Sequence, residues 1–124
     1  MRLRPETIDD YHTVLTTVLA CAPEGFVPFG DEVIDQATAL REAFNDLRDG
    51  LRFARMKVRD GHKLLVVREL IEMSFEAYVA GDAKTGISVL QEVEGMIWAE
   101  RAAPPEHVEE AERRAFGSSF SKPI

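Results

Sequence analysis

Lys63-Leu-Leu-Val-Val-Arg-Glu-Leu-Ile-Glu-Met-Ser-Phe-Glu-Ala-Tyr-Val-Ala80 is the stretch from which the fold can be read. At 100° per residue, Arg68, Glu69, Glu72 and Glu76 collect in one stripe roughly 100° wide, and apolar side chains fill most of the remaining circumference. A helix so apolar requires neighbours on two or three sides. It is too short and too charged to cross a bilayer. Its neighbours are therefore other helices, of this chain or of a second copy.

Upstream, Ala37, Leu40, Phe44, Leu47, Leu51, Ala54 and Val58 recur at steps of three and four. That is the seam of a long helix packed nearly parallel or antiparallel to another, and Asp31 has the chemistry to cap it. Gly50 costs this helix about 1 kcal/mol against Ala and leaves room for another backbone to approach. Gly61 suits the left-handed residue after a helix end, and continuing the seam beyond it would place Arg68 in the core. Downstream, Gly81 stops the central helix and Asp82 opens the next one, whose stripe is Ile87, Leu90, Val93 and Ile97. The turn at Asp60-Gly61-His62 is so short that it predicts antiparallel packing of the central helix on the one before it, the two forming the central hairpin.

At the amino end, Thr7 with Asp10 predicts an N-cap, followed by a helix with Ile8, Tyr11, Leu15, Val18, Leu19 and Ala22 on one face. Pro23 ends it. The loop from Pro23 to Gly30 holds two prolines and two glycines, yet carries Phe26, Val27 and Phe29, which either close one end of the fold or anchor a partner. Beyond Pro104-Pro105, residues Glu106 to Phe116 predict a short acidic helix with a thin apolar face, Val108, Ala111 and Ala115. Residues 117–124 have the composition of a flexible tail. The expectation is an all-α protein, an antiparallel helical bundle of four main helices plus a short C-terminal helix, in a single domain over residues 1–116.

The composition narrows the function classes. An apolar share of 45% is that of a soluble globule, and no run resembles a signal peptide or membrane span, which favours the cytoplasm. Cys21 is alone, so neither an internal disulfide nor a multi-cysteine metal site is available. A net charge of −7 disfavours nucleic acid and anionic lipid as partners and favours a basic protein surface. That charge is segregated. Between residues 41 and 68, eight basic and four acidic side chains give a local +4, which leaves −11 elsewhere.

Arg41, Arg48, Arg52, Arg55 and Arg59 each follow a seam residue by one position and line one flank of it. Like charges three and four apart oppose a helix by a few tenths of a kcal/mol each, so something must offset them. Either Glu69, Glu72 and Glu76 pair with them across the hairpin, or part of the row, with Arg48, Arg52 and Arg55 central, meets an acidic or phosphorylated partner. The carboxylates of Glu106, Glu109, Glu110 and Glu112, extended by Glu92 and Glu94, form a candidate decoy for a basic groove.

The sequence carries no motif of catalysis or cofactor binding. Asp9-x-x-His12 is one imperfect half of a di-metal pattern that needs two Glu-x-x-His pairs and two more glutamates, and His12 and Cys21 point to nearly opposite sides of their helix. No phosphate loop or nucleophile elbow is present. The reading is a small acidic protein-binding module without catalysis, metal or cofactor: an adaptor, or an immunity-type inhibitor neutralising a basic partner. Two alternatives stand beside it. One is an obligate homodimer with a scaffolding role; the other is a small-molecule protein or enzyme with Tyr11, Tyr78 and Trp98 as polar points inside the bundle.

Overall fold

The computed structural model describes residues 5–26, 35–98 and 106–121, with side chains in the last stretch as far as Gly117. Six helical segments follow one another: α1 (Ile8–Cys21), α2 (Gln36–Asp49), α3 (Leu51–Ala54), α4 (Gly61–Val79), α5 (Ala83–Trp98) and α6 (Val108–Ser121). No strand occurs among the described residues. The all-helical expectation holds, and the long second helix is broken at Gly50 into α2 and the single turn α3.

The central helix α4 is flanked by α2, α5 and α6, as its apolar circumference requires. Val66, Val67, Leu70, Ile71 and Tyr78 are buried, and Arg68 and Glu76 are exposed. Each fully buried aliphatic side chain here contributes about 1.5–3 kcal/mol of transfer free energy. The helix ends in a Schellman turn. Gly81 takes φ 88° and donates its N–H to the Tyr78 carbonyl at 3.1 Å, and the Asp82 N–H reaches the Ala77 carbonyl at 2.8 Å. Asp82 then accepts from the Thr85 N–H at 3.2 Å and starts α5. A hydrogen bond from Thr85 to Asp82 holds that carboxyl below the ordinary carboxylate range.

Two tyrosines set how closely the helices approach, each lying over a glycine. A Cβ on Gly86 would sit 2.8 Å from the Tyr78 ring, across the α4–α5 hairpin, where Ser74 Oγ also donates to the Gly86 carbonyl at 2.9 Å. A Cβ on Gly50 would sit 2.4 Å from the Tyr11 ring. Gly50 therefore admits an aromatic ring from α1 rather than another backbone. The Tyr11 hydroxyl donates to the Leu47 carbonyl at 2.6 Å, in the last turn of α2, where intrahelical donors run out. Burial pushes the Tyr11 phenol well above its usual range and the Tyr78 phenol up to about 12. The Tyr78 hydroxyl is buried without a hydrogen-bond partner among the described residues.

Other boundaries differ from the sequence expectation. The cap of α2 is Asp35, which accepts from the Thr38 N–H at 3.3 Å and the Thr38 hydroxyl at 2.6 Å; the proposed cap Asp31 lies outside the described residues. Within the seam, Leu40, Phe44, Leu47, Ala54 and Val58 are buried, but Ala37 is exposed. Gly61 does not terminate a helix. It is the first residue of α4, whose N-cap Asp60 accepts from the His62 N–H at 2.9 Å. A carboxylate directly before the glycine satisfies the first amides of a new helix, and this outweighs glycine's suitability as a terminator. Thr7 caps α1 as expected, taking the Asp10 N–H at 3.0 Å. At the carboxyl end α6 kinks at Gly117 (φ 70°, ψ −172°), and the backbone of 118–121 is helical where a tail was expected. Residues 122–124 lie outside the described residues.

Candidate interaction surface

Charged side chains fall into two groups, those consumed in holding the helices together and those left in water. In the first group, Arg48 on α2 makes a fork to Glu72 on α4, Nε to Oε2 at 2.5 Å and Nη2 to Oε1 at 3.0 Å. Its third nitrogen donates to Asn45 Oδ1 at 2.7 Å, and its carbon lies 5.0 Å from the centre of the Phe75 ring. Arg114 on α6 forks onto Glu76 at 3.0 and 2.6 Å and stands 3.4 Å from Glu69, which ties α6 to α4. The hydrogen bond to Glu76 raises its pKa further above an already high value. Of the three glutamates expected to face the arginine row, then, Glu72 alone does so, and Glu69 and Glu76 serve Arg114.

Two histidine–glutamate contacts dock the outer helices on α5. His12 Nε2 lies 2.9 Å from Glu94 Oε2, with the Trp98 ring centre 4.5 Å from the imidazole. The His107 N–H donates to Glu92 Oε1 at 2.9 Å, and its Nδ1 lies 2.5 Å from Oε2. Glu92 and Glu94 are therefore structural and do not extend an acidic surface. His12 turns to Glu94 instead of pairing with Asp9. No group of three or more metal-type ligands occurs among the described residues.

The second group is the corner between α3 and α4. Arg52, Arg55, Met56, Lys57, Arg59 and Lys63 are all exposed, and Met56, at 64%, is one of the most exposed large apolar side chains described. Arg55, Lys57, Arg59 and Lys63 make no ion pair with any described residue. Arg52 lies over the Phe53 ring, 4.7 Å from its centre, with one nitrogen 3.4 Å from the Asp49 carbonyl. One helical turn before, Arg48 meets Glu72; one turn on, the two segments carry Arg52 and Arg68. The carboxylate within the corner, Asp60, is engaged in capping α4. The result is an exposed cationic segment that also carries an exposed thioether, the chemistry that accepts carboxylate or phosphate oxygens beside an apolar contact.

Of the remaining candidates, Phe26 is buried at 3% exposure, its N–H and carbonyl both held by Gln36, so its ring belongs to the core and is not offered to a partner. Phe29 lies outside the described residues. Arg48 is satisfied internally. On α6, Glu106 and Glu109 are exposed, Glu112 is half-buried, and Glu110 pairs with Arg113, which interrupts the expected run of carboxylates. Tyr11 and Trp98 stack at 6.3 Å, whereas Tyr78 lies beside Gly86, twelve residues or about 18 Å back along α5, so the three do not converge.

No family model matches this chain, and no curated protein or solved structure matches it. No described helix is long and apolar enough to cross a membrane.

The sequence placed Arg52, Arg55 and Arg59 on one flank but did not mark Met56, Lys57 and Lys63 as part of the same surface. No local signal marked them: a long amphipathic helix spreads these charges along its flank, and only the break at Gly50 and the cap at Asp60 gather them into one corner.

Proposed function

We propose that this chain is a small cytoplasmic protein-binding module without catalytic activity, an adaptor or inhibitor that docks through charge. The observation supporting this reading is the division among its cations. Arg48, Arg113 and Arg114 are each matched to a glutamate. Those of the α3–α4 corner are left facing water in a chain whose net charge is −7. Leaving like charges together costs folding stability, and a docking role offsets that cost when a partner supplies the anions.

A second surface belongs to the same reading. Glu106 and Glu109 are exposed and without an ion pair among the described residues, and they suit a basic partner. Affinity purification from the native source, with the wild type, an Arg55→Glu/Arg59→Glu variant and a Glu106→Lys/Glu109→Lys variant side by side, tests both. The expected result is a protein whose retention falls with rising salt and is lost in one of the two variants. Retention of partners that neither variant nor salt alters would exclude charge-based docking. The homodimer alternative draws on Leu65 and Val79, exposed on α4 at 40% and 64%; sedimentation of a monomer at micromolar concentration removes it.

A further inference from the structure

We infer that the α3–α4 corner binds an acidic peptide segment that also carries an apolar side chain, with Met56 as the apolar contact and Arg52, Arg55, Lys57, Arg59 and Lys63 receiving the carboxylates. This rests on the protein-binding reading and names the partner of that surface.

Three features of the corner point to a peptide. The cations are confined to twelve consecutive residues, folded as one helical turn, a connecting turn and the start of α4, so the positive region is short. The rest of the chain carries a large negative charge, −11 outside residues 41–68. A duplex or a membrane surface senses the net negative charge of the whole chain, whereas a short peptide engages the corner alone. Finally, Met56 lies within this run of cations in the sequence. It is flanked in sequence by Arg55 and Lys57 and exposed at 64%, an unbranched polarizable side chain able to mould itself to a partner's apolar group. A purely ionic recognition site has no use for it.

The forks are also free to receive carboxylates. Arg52 is already aligned by the Phe53 ring, so part of the entropy of fixing a long side chain is spent before a ligand arrives. Arg55 and Arg59 are four residues apart in the connecting segment, exposed, and have no ion pair with a described residue to give up. Asp60, the anion nearest to them in the chain, is turned to the His62 N–H.

The test is fluorescence anisotropy with a short labelled peptide of aspartates and glutamates around one central phenylalanine, set against the same peptide with glycine at that position. The wild type is expected to bind the first more tightly, with an affinity that falls as salt rises. Arg55→Glu/Arg59→Glu is expected to weaken binding of both peptides by at least about tenfold. Met56→Ala is expected to remove the preference for phenylalanine while leaving the glycine peptide unaffected. These side chains are exposed, so an unchanged helical circular dichroism signal and melting temperature will confirm that the variants fold.

Binding insensitive to the double charge reversal overturns the inference. So does tighter binding, through the same residues, of duplex DNA or of phosphatidylserine vesicles, and so does a self-association that the double variant abolishes, since the occupant is then a second copy. The two readings fail separately. If affinity purification yields a partner that the double variant still retains and the peptide does not bind, the protein-binding reading stands and this docking surface is wrong. If no salt-sensitive partner is retained and the peptide does not bind, both are wrong.

Discussion

Arg48 and Arg55 stand seven residues apart, and their surroundings have little in common. Arg48 is gripped by Glu72 and Asn45 and rests on Phe75, whereas Arg55 faces water with no described partner. The same side chain thus serves cohesion at one point and is left in water at the other. What separates them is the break at Gly50: α2 lies along α4 as far as Arg48, and beyond it the chain turns under the Tyr11 ring and carries the next cations to the surface. The core repeats the distinction between a matched polar group and an unmatched one, in the hydroxyls of Tyr11 and Tyr78.

Replacing the best-matched group will have the largest effect. Arg48→Ala is expected to cost about 2 kcal/mol, since it removes a two-point charge-assisted contact, a packed stem and the partner of Glu72, tempered by partial exposure of both side chains. Chemical denaturation measures this, and a loss below half that value would mean that solvent had already replaced the fork. Tyr11→Phe is expected to cost about 1–1.5 kcal/mol through the loss of the bond to the Leu47 carbonyl. Arg114→Ala should lower global stability by about 1 kcal/mol or less, and its clearer signature is faster amide exchange confined to α6.

The unmatched groups predict the opposite or nothing. Tyr78→Phe removes a buried hydroxyl without a described partner, and is expected to leave stability unchanged or raise it by up to about 1 kcal/mol. The phenol also predicts a pH dependence. It ionises near 10 in the unfolded chain and only at about 12 in the fold, so the unfolded state loses its proton first and stability falls as pH rises through that interval. Alkaline denaturation of the wild type and the phenylalanine variant, in parallel, will show whether this part of the fall disappears. At the corner, Arg55→Ala and Arg59→Ala are expected to change stability by less than about 0.5 kcal/mol in either direction. A loss comparable to that of Arg48→Ala would mean that the corner is structural, and would erase the contrast.

The helices, and the faces they bury, were legible because they follow from periodicity within short windows. The 3.6-residue pattern over Lys63 to Ala80 marks a helix buried on several sides, and Gly81-Asp82 marks where it turns. The break at Gly50 was not legible, because nothing nearby in sequence indicates that a ring thirty-nine residues earlier occupies the space of its missing Cβ. The pairing of charges was hidden for the same reason. Glu69, Glu72 and Glu76 look equivalent on one helix face, yet one turns to α2 and two turn to α6. His12 and His107 gave no sign of their glutamates, which come from 82 and 15 residues away.

By itself the sequence determined that the chain is helical, where most of its turns fall, and that its charge is divided between a basic middle and an acidic remainder. Hydrophobic periodicity, capping and formal charge are properties of neighbouring residues. The tertiary structure alone decided which charges are matched, which hydroxyl has a partner and which cations collect at the α3–α4 corner. Those depend on contacts between residues far apart in the chain, and a side chain's availability is settled only when the helices that might have covered it take their places.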